Sequence, residues 1–78
     1  MDKYQSHKVV EAGKIEDINT HDRTVTLLSG EIYQPGEDWW KRYEAATESW
    51  DGGYLVVYDG GYESWSPKKA FEEGYSPA

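Results

Sequence analysis

The histidines, serines and paired acids of this sequence are the side chains that could do chemistry, and their spacing predicts no active site. His7 and His21 are the only histidines, and there is no cysteine. A zinc site needs three or four ligands of these kinds. No serine stands in a G-x-S-x-G motif. Adjacent acids such as Glu37 and Asp38 arise by chance in a chain with fifteen acidic residues. We therefore expect a non-enzymatic protein with no catalytic residue, metal or cofactor.

Aromatic side chains are the feature that could bind a partner. The chain has four Trp, seven Tyr and one Phe among 78 residues. A domain of this size buries only about 60% of the surface that its unfolded chain exposes, so some rings should remain exposed and form an interface. Trp65, Tyr54 and one of Trp39 and Trp40 are expected in the core. The candidate partner-binding residues lie in and after a central helix: Trp39, Trp40, Tyr43 and Trp50.

The net charge of −7 limits the classes of partner. A negative field repels phosphate backbones and anionic lipid, so we expect no direct binding to nucleic acid and none to membranes. The first eight residues contain no apolar signal segment, and no apolar run is long enough to span a bilayer. We therefore predict a cytoplasmic protein.

The first half of the chain predicts three strands and a helix. Residues 1–6 are interpreted as a flexible lead-in. A bent strand is expected at about 8–18, with a bulge or a sharp bend at Gly13. The next strands are expected at 23–28 and 31–34. Residues 37–46 read as a helix, since two acids in its first turn suit the helix dipole and its rings are three and four residues apart.

The second half predicts a hairpin followed by a short helix. Residues 54–58 are apolar on both faces, residues 62–65 return as the partner strand, and Asp59-Gly60 between them is a strong two-residue turn signal. Gly61 would also allow a bulged variant of this turn. Ser66 is predicted as the N-cap of the last helix, with Pro67 in its first turn. Gly74 is predicted just after its end.

Together these elements predict an α+β fold in a single domain over 1–78. An antiparallel sheet of about five strands would carry one middle helix and a short C-terminal helix. An SH3-like, partly open barrel is the preferred closure, because short bent strands with glycine hinges curl easily. The alternative is an open sheet with both helices on one face.

Two stretches of the sequence resemble a family of small, uncharacterised bacteriophage and prophage proteins. The N-terminal stretch is YQSHKVVEAGKI at 4–15. The C-terminal one comprises GGYLVVY at 52–58 and GYESWSPKKAFEEGY at 61–75. The resemblance implies a phage origin and a bacterial host cell as the setting. It implies no activity, and no functional residue is carried over with it.

The function predicted from these observations is a small phage-derived accessory protein that binds a host or phage protein. Three alternatives remain open. One is an acidic inhibitor, resembling a DNA mimic, of a nucleic-acid-binding host protein. Another is a structural homo-oligomer that buries its aromatic residues between copies. The last is a protein with a small-molecule pocket between the middle helix and the hairpin.

Overall fold

The computed structural model describes residues 1–5, 9–46 and 52–77. These residues form an antiparallel sheet with helices, which confirms the predicted α+β class. The elements in chain order are β1 (Asp2–Gln5), β2 (Val9–Asn19), β3 (Thr24–Leu27), β4 (Ile32–Tyr33), α1 (Glu37–Ala45), β5 (Tyr54–Val57), β6 (Glu63–Ser66), α2 (Lys68–Gly74) and β7 (Ser76–Pro77). None of the helices described is long and apolar enough to cross a membrane.

Strand β2 is the centre of the sheet. Its first half pairs with β1 along one edge and with β5 along the other, and its second half pairs with β3. The register shifts between Ile15 and Asp17. The bulge predicted at Gly13 is therefore misplaced, since Gly13 pairs regularly with Leu55. Gly13 is needed for close packing instead, because a Cβ there would lie 2.6 Å from Leu27 Cδ1.

The prediction of a flexible lead-in at 1–6 is wrong for the residues described. Asp2–Gln5 forms β1, which pairs with both β2 and β7. The ring of Tyr4 packs edge-on against Phe71, with 4.9 Å between ring centroids. One partly buried ring and two strand partners therefore hold a segment that is otherwise polar.

The sheet carries a separate apolar core on each face, because successive side chains of a strand point to opposite sides. The core beneath α1, here called the tryptophan face, contains Ile15, Val25, Leu27, Trp39, Trp40, Leu55 and Trp65. The core beneath α2, the tyrosine face, contains Val10, Ala12, Tyr54, Val56 and Phe71, with Tyr4, Tyr58 and Tyr75 packed against it. The two helices thus lie on opposite faces, and the predicted alternative with both on one face is wrong.

The Glu63 side chain connects the start of β6 to the segment that follows β4. Glu63, at the start of β6, accepts a hydrogen bond of 2.9 Å from the Gly36 amide, which follows β4. The Tyr33 hydroxyl of β4 also hydrogen-bonds to Glu63. The strand pairs between described residues nevertheless branch without closing into a ring. The SH3-like closure is therefore not confirmed.

The β5–β6 hairpin is present as predicted, but its turn is one residue longer. The Tyr58 amide donates to the Tyr62 carbonyl at 2.8 Å. Three residues, 59–61, lie between this hydrogen-bonded pair. Positive φ angles occur at Gly60 (+90°) and Gly61 (+87°) and not at Asp59. The two-residue type I′ turn predicted at Asp59-Gly60 is therefore wrong.

Helix α2 begins and ends differently from the prediction. Ser66 stays in β6, paired with Tyr54, and Pro67 occupies the N-cap position without a side-chain hydrogen bond. Gly74 is the last helical residue, and Tyr75 follows as the C-cap, with its amide donating to the Phe71 carbonyl. The predicted Ser66 cap and Gly74 stop are both wrong, because sheet pairing keeps Ser66 extended.

Candidate binding groove

Helix α1 turns its two tryptophans into the core. Trp39 is 0% exposed and Trp40 is 1% exposed. The Trp40 indole N–H donates to the Pro35 carbonyl at 3.2 Å. The Trp39 indole N–H has no hydrogen-bond partner among the described residues. The prediction that Trp39 and Trp40 contact a partner directly is wrong for this fold, because neither ring reaches the surface.

The other two predicted contact residues are Tyr43 and Trp50. Tyr43 is partly buried and stacks on Trp39, with 5.5 Å between centroids and 10° between planes. Its ring also meets Trp65 edge-on at 5.9 Å. Tyr43 therefore connects α1 to β6 rather than standing free on the surface. Trp50 lies outside the described residues.

A groove of about 640 Å³ runs between α1 and β6. The α1–β6 groove is lined by Asp38, Lys41, Arg42, Ala45, Ala46, Tyr62, Trp65 and Pro67. It lies between the middle helix and the hairpin, where the sequence alternatives included a small-molecule pocket. Trp65 is held in place beneath it, since its indole N–H donates to the Gly52 carbonyl at 2.9 Å.

The groove carries two cations without an acidic partner. The ion pairs among the described residues join the Met1 ammonium to Glu31 and Arg23 to Glu44. Lys41 and Arg42 are exposed, and neither has a carboxylate within 4.0 Å in the part of the chain described. The groove therefore carries two such cations in a chain whose net charge is −7.

Arg42 and Tyr62 join the two walls of the groove. An Arg42 guanidinium N–H donates to the Tyr62 hydroxyl at 3.3 Å. Tyr62 is 51% exposed, so half of this aromatic side chain is available for contact. An arginine has five N–H donors, and this hydrogen bond uses one of them.

Lys41, Arg42 and Tyr62 are the residues of the groove that sequence reasoning missed. The signal for the two cations was helical spacing, since 38, 41, 42 and 45 share one side of a helix. That side faces away from the core once Trp39 and Trp40 are buried. Tyr62 had no such signal, because the hairpin approaches α1 only in the folded chain.

Tyr33 and Tyr54, whose pKa values are raised, have structural roles. Burial, with the hydrogen bond to Glu63 and its negative charge, raises the pKa of Tyr33 to about 12. Burial also raises the pKa of Tyr54, whose hydroxyl donates to Glu72 at 2.7 Å. Neither tyrosine lines the α1–β6 groove. Among the residues that the structure describes, no group of three or more His, Asp or Glu side chains could hold a metal ion.

Comparison of the chain with protein-family models, curated proteins and solved structures finds no match.

Proposed function

We propose that this protein is a binding module for another protein and that the α1–β6 groove is its interface. The observation that carries the proposal is the combination, around one groove, of a half-exposed Tyr62 with Lys41 and Arg42, neither of which has a carboxylate within 4.0 Å among the described residues. Arginine and tyrosine are enriched at protein interfaces and at the residues that dominate their binding energy.

The support beneath the groove favours binding in a fixed shape. The Trp39, Tyr43 and Trp65 rings pack in sequence from the helix to β6. Such packing limits movement of the two walls relative to each other. A surface that is already held in its bound shape loses less conformational entropy when a partner docks.

The biological setting of the proposal rests on sequence alone. The resemblance of the two terminal stretches to phage and prophage proteins suggests an accessory protein acting in the cytoplasm of a bacterial host. The non-enzymatic character and the homo-oligomer alternative both remain predictions. Light scattering at high protein concentration tests the oligomer, and a monomer there contradicts it.

A capture experiment with matched charge reversals tests the groove. The protein is immobilised as wild type, as Lys41→Glu and as Lys69→Glu, and each is incubated with bacterial lysate. Both lysines are exposed and helical, but Lys69 lies on α2, on the opposite face of the sheet. Near-ultraviolet circular dichroism checks that all three proteins are folded.

The expected result is a protein retained by wild type and by Lys69→Glu and lost from Lys41→Glu. Retention of the same proteins by all three forms contradicts the groove as the interface. Equal loss from both variants also contradicts it, because the effect would then follow net charge rather than position.

A further inference from the structure

We propose that the α1–β6 groove binds an acidic protein segment, with a carboxylate at Arg42 and Lys41 and an apolar side chain beside it. This inference rests on the proposed function and specifies its partner. It concerns a short segment rather than a large surface, because the groove of about 640 Å³ is bounded by one helix and one strand.

The direction of the Arg42 side chain is the first argument. Asp38 stands four residues before Arg42, in the orientation that favours an ion pair along a helix. The two do not pair within 4.0 Å, and Arg42 reaches across the groove to the Tyr62 hydroxyl instead. This position leaves N–H donors of its planar fork for a carboxylate, which arginine can bind with two parallel hydrogen bonds.

The pairing of Glu44 is the second argument. Glu44 lies three residues after Lys41, close enough along a helix to pair with it. Its carboxylate instead lies 3.7 Å from Arg23, and the Arg23 guanidinium also sits 5.1 Å from the centre of the Trp40 ring. Glu44 is thus directed to Arg23, and Lys41 has no carboxylate within 4.0 Å among the described residues.

Apolar residues supply the other part of the site. Ala45, Trp65 and Pro67 line the groove together with Tyr62. Ala45 and Pro67 are small or compact, so they leave room for an incoming apolar side chain. A segment with an apolar residue next to Asp or Glu would fill both parts of the groove.

The net charge of −7 does not exclude an acidic partner. Charges in solvent are largely screened beyond about 8 Å at physiological ionic strength, so the local cations decide contact within the groove. The net charge still slows the approach of an acidic segment. We therefore expect weak, rapidly reversible binding, as is usual for interfaces below standard size.

A nucleic-acid strand fits the groove less well than an acidic peptide does. Its phosphates repeat along the whole strand and need a continuous track of cations. The groove offers two cations, Lys41 and Arg42, in place of such a track.

Selection from a displayed library of random twelve-residue peptides tests the inference. The library is selected separately against wild type, Lys41→Glu and Lys69→Glu. We expect wild type and Lys69→Glu to enrich peptides with Asp or Glu next to an apolar residue, and Lys41→Glu to lose them. For one enriched peptide, Arg42→Gln should raise Kd about tenfold and Arg42→Lys, which keeps the charge but not the fork, about threefold.

The outcomes separate the two proposals. Peptides that depend on Lys41 but are neutral or basic contradict the acidic partner and leave the groove as interface. Peptides that bind Lys41→Glu and wild type equally, or no enrichment at all, contradict the proposed function itself. Displacement of an enriched peptide by a twenty-residue oligothymidylate at equal concentration contradicts a protein partner and indicates nucleic acid.

Discussion

The two faces of the sheet are built from different aromatic residues and depend on their helices differently. On the tryptophan face, α1 contributes two fully buried indoles, which pack with Trp65 of β6 and with aliphatic residues. On the tyrosine face, Phe71 is the one buried side chain described in α2. Its ring stacks on Tyr54 with centroids 4.3 Å apart and on Tyr75 with centroids 4.7 Å apart.

On the tryptophan face, different residues of α1 stabilise the fold and line the groove. The two buried indoles anchor α1, and its outer side carries Lys41 and Arg42, which line the groove and have no carboxylate within 4.0 Å among the described residues. Helix α2 has seven residues and no side-chain N-cap, so it depends on tertiary packing for its stability. The tyrosine face should therefore be the more sensitive to loss of a single ring.

The largest effect is expected from Phe71→Ala. Loss of a buried phenylalanine costs about 3–5 kcal/mol, which is a large part of the stability of a small domain. Phe71→Leu, which fills most of the space, should cost about 1 kcal/mol. Urea unfolding followed by near-ultraviolet circular dichroism measures both. A cost below 2 kcal/mol for Phe71→Ala would contradict the dependence of the tyrosine face on this ring.

A large effect is also expected from Gly53→Ala, at the residue before β5, which lies against Trp65 of the tryptophan face. Gly53 has φ +66°, and an added Cβ would collide with the Ser66 carbonyl oxygen and with the Trp65 ring. Backbone strain and overpacking together should cost about 2–4 kcal/mol. The matched control is Gly60→Ala, where φ is +90° and the space is open. Its thermal unfolding should show the strain alone, about 1 kcal/mol.

The two indoles of α1 should differ when each is replaced by phenylalanine. Trp40→Phe removes the hydrogen bond from the indole N–H to the Pro35 carbonyl, so this carbonyl oxygen loses its indole donor. Trp39→Phe removes an N–H that has no partner among the described residues. Both lose similar ring area, so Trp40→Phe should be about 1–3 kcal/mol more destabilising. Equal costs in chemical denaturation would show that the Trp40 hydrogen bond contributes nothing net.

A smaller effect on the tyrosine face is expected from Tyr54→Phe. The change keeps the stacked ring and removes the 2.7 Å hydrogen bond to Glu72. Because the pair is only partly buried, the expected cost is about 1 kcal/mol. Glu72→Gln, which retains an acceptor, should cost less in the same denaturation experiment. The reverse order would indicate that the charge of Glu72, rather than the hydrogen bond, stabilises α2.

The smallest effect is a dependence of stability on alkaline pH. The pKa of Tyr33 is raised from 10.0 to about 12 in the folded chain, so the folded state holds this proton more tightly than the unfolded state does. Its contribution is complete below pH 10 and is lost as the pH rises towards 12. Tyr33→Phe should therefore reduce the fall in unfolding free energy between about pH 10 and pH 12. If the unfolding free energy of Tyr33→Phe falls as much as that of wild type, the fall arises from Tyr54 and Tyr75, whose pKa values are also raised.

The parts of the fold that depend on local chemistry could be predicted from the sequence. The β5–β6 hairpin follows from Asp59-Gly60 and the strand-forming residues on either side. Helix α1 follows from its acidic first turn and ring spacing. Strand β1 could not be predicted in this way, because Tyr4 is its one aromatic residue and its second partner, β7, is distant in sequence.

The sequence pointed to the helix that lines the groove but not to the residues exposed there. The sequence directed attention to Trp39, Trp40 and Tyr43, and the groove does lie on that helix. Burial of both indoles depends on how the sheet curves beneath α1, which no local pattern specifies. The exposed side of the helix, with Lys41 and Arg42, follows only after that burial is known.

The central position of β2 has a consequence for how the chain folds. The β2–β3 and β5–β6 hairpins join neighbours in sequence and can form early, since short loops close at little entropic cost. The pairing of β2 with β5 joins Lys14 to Tyr54, forty residues apart. Both cores need it, because β5 supplies Leu55 to one and Tyr54 to the other. We therefore expect docking of the two hairpins to limit the folding rate, with both faces forming in a single step.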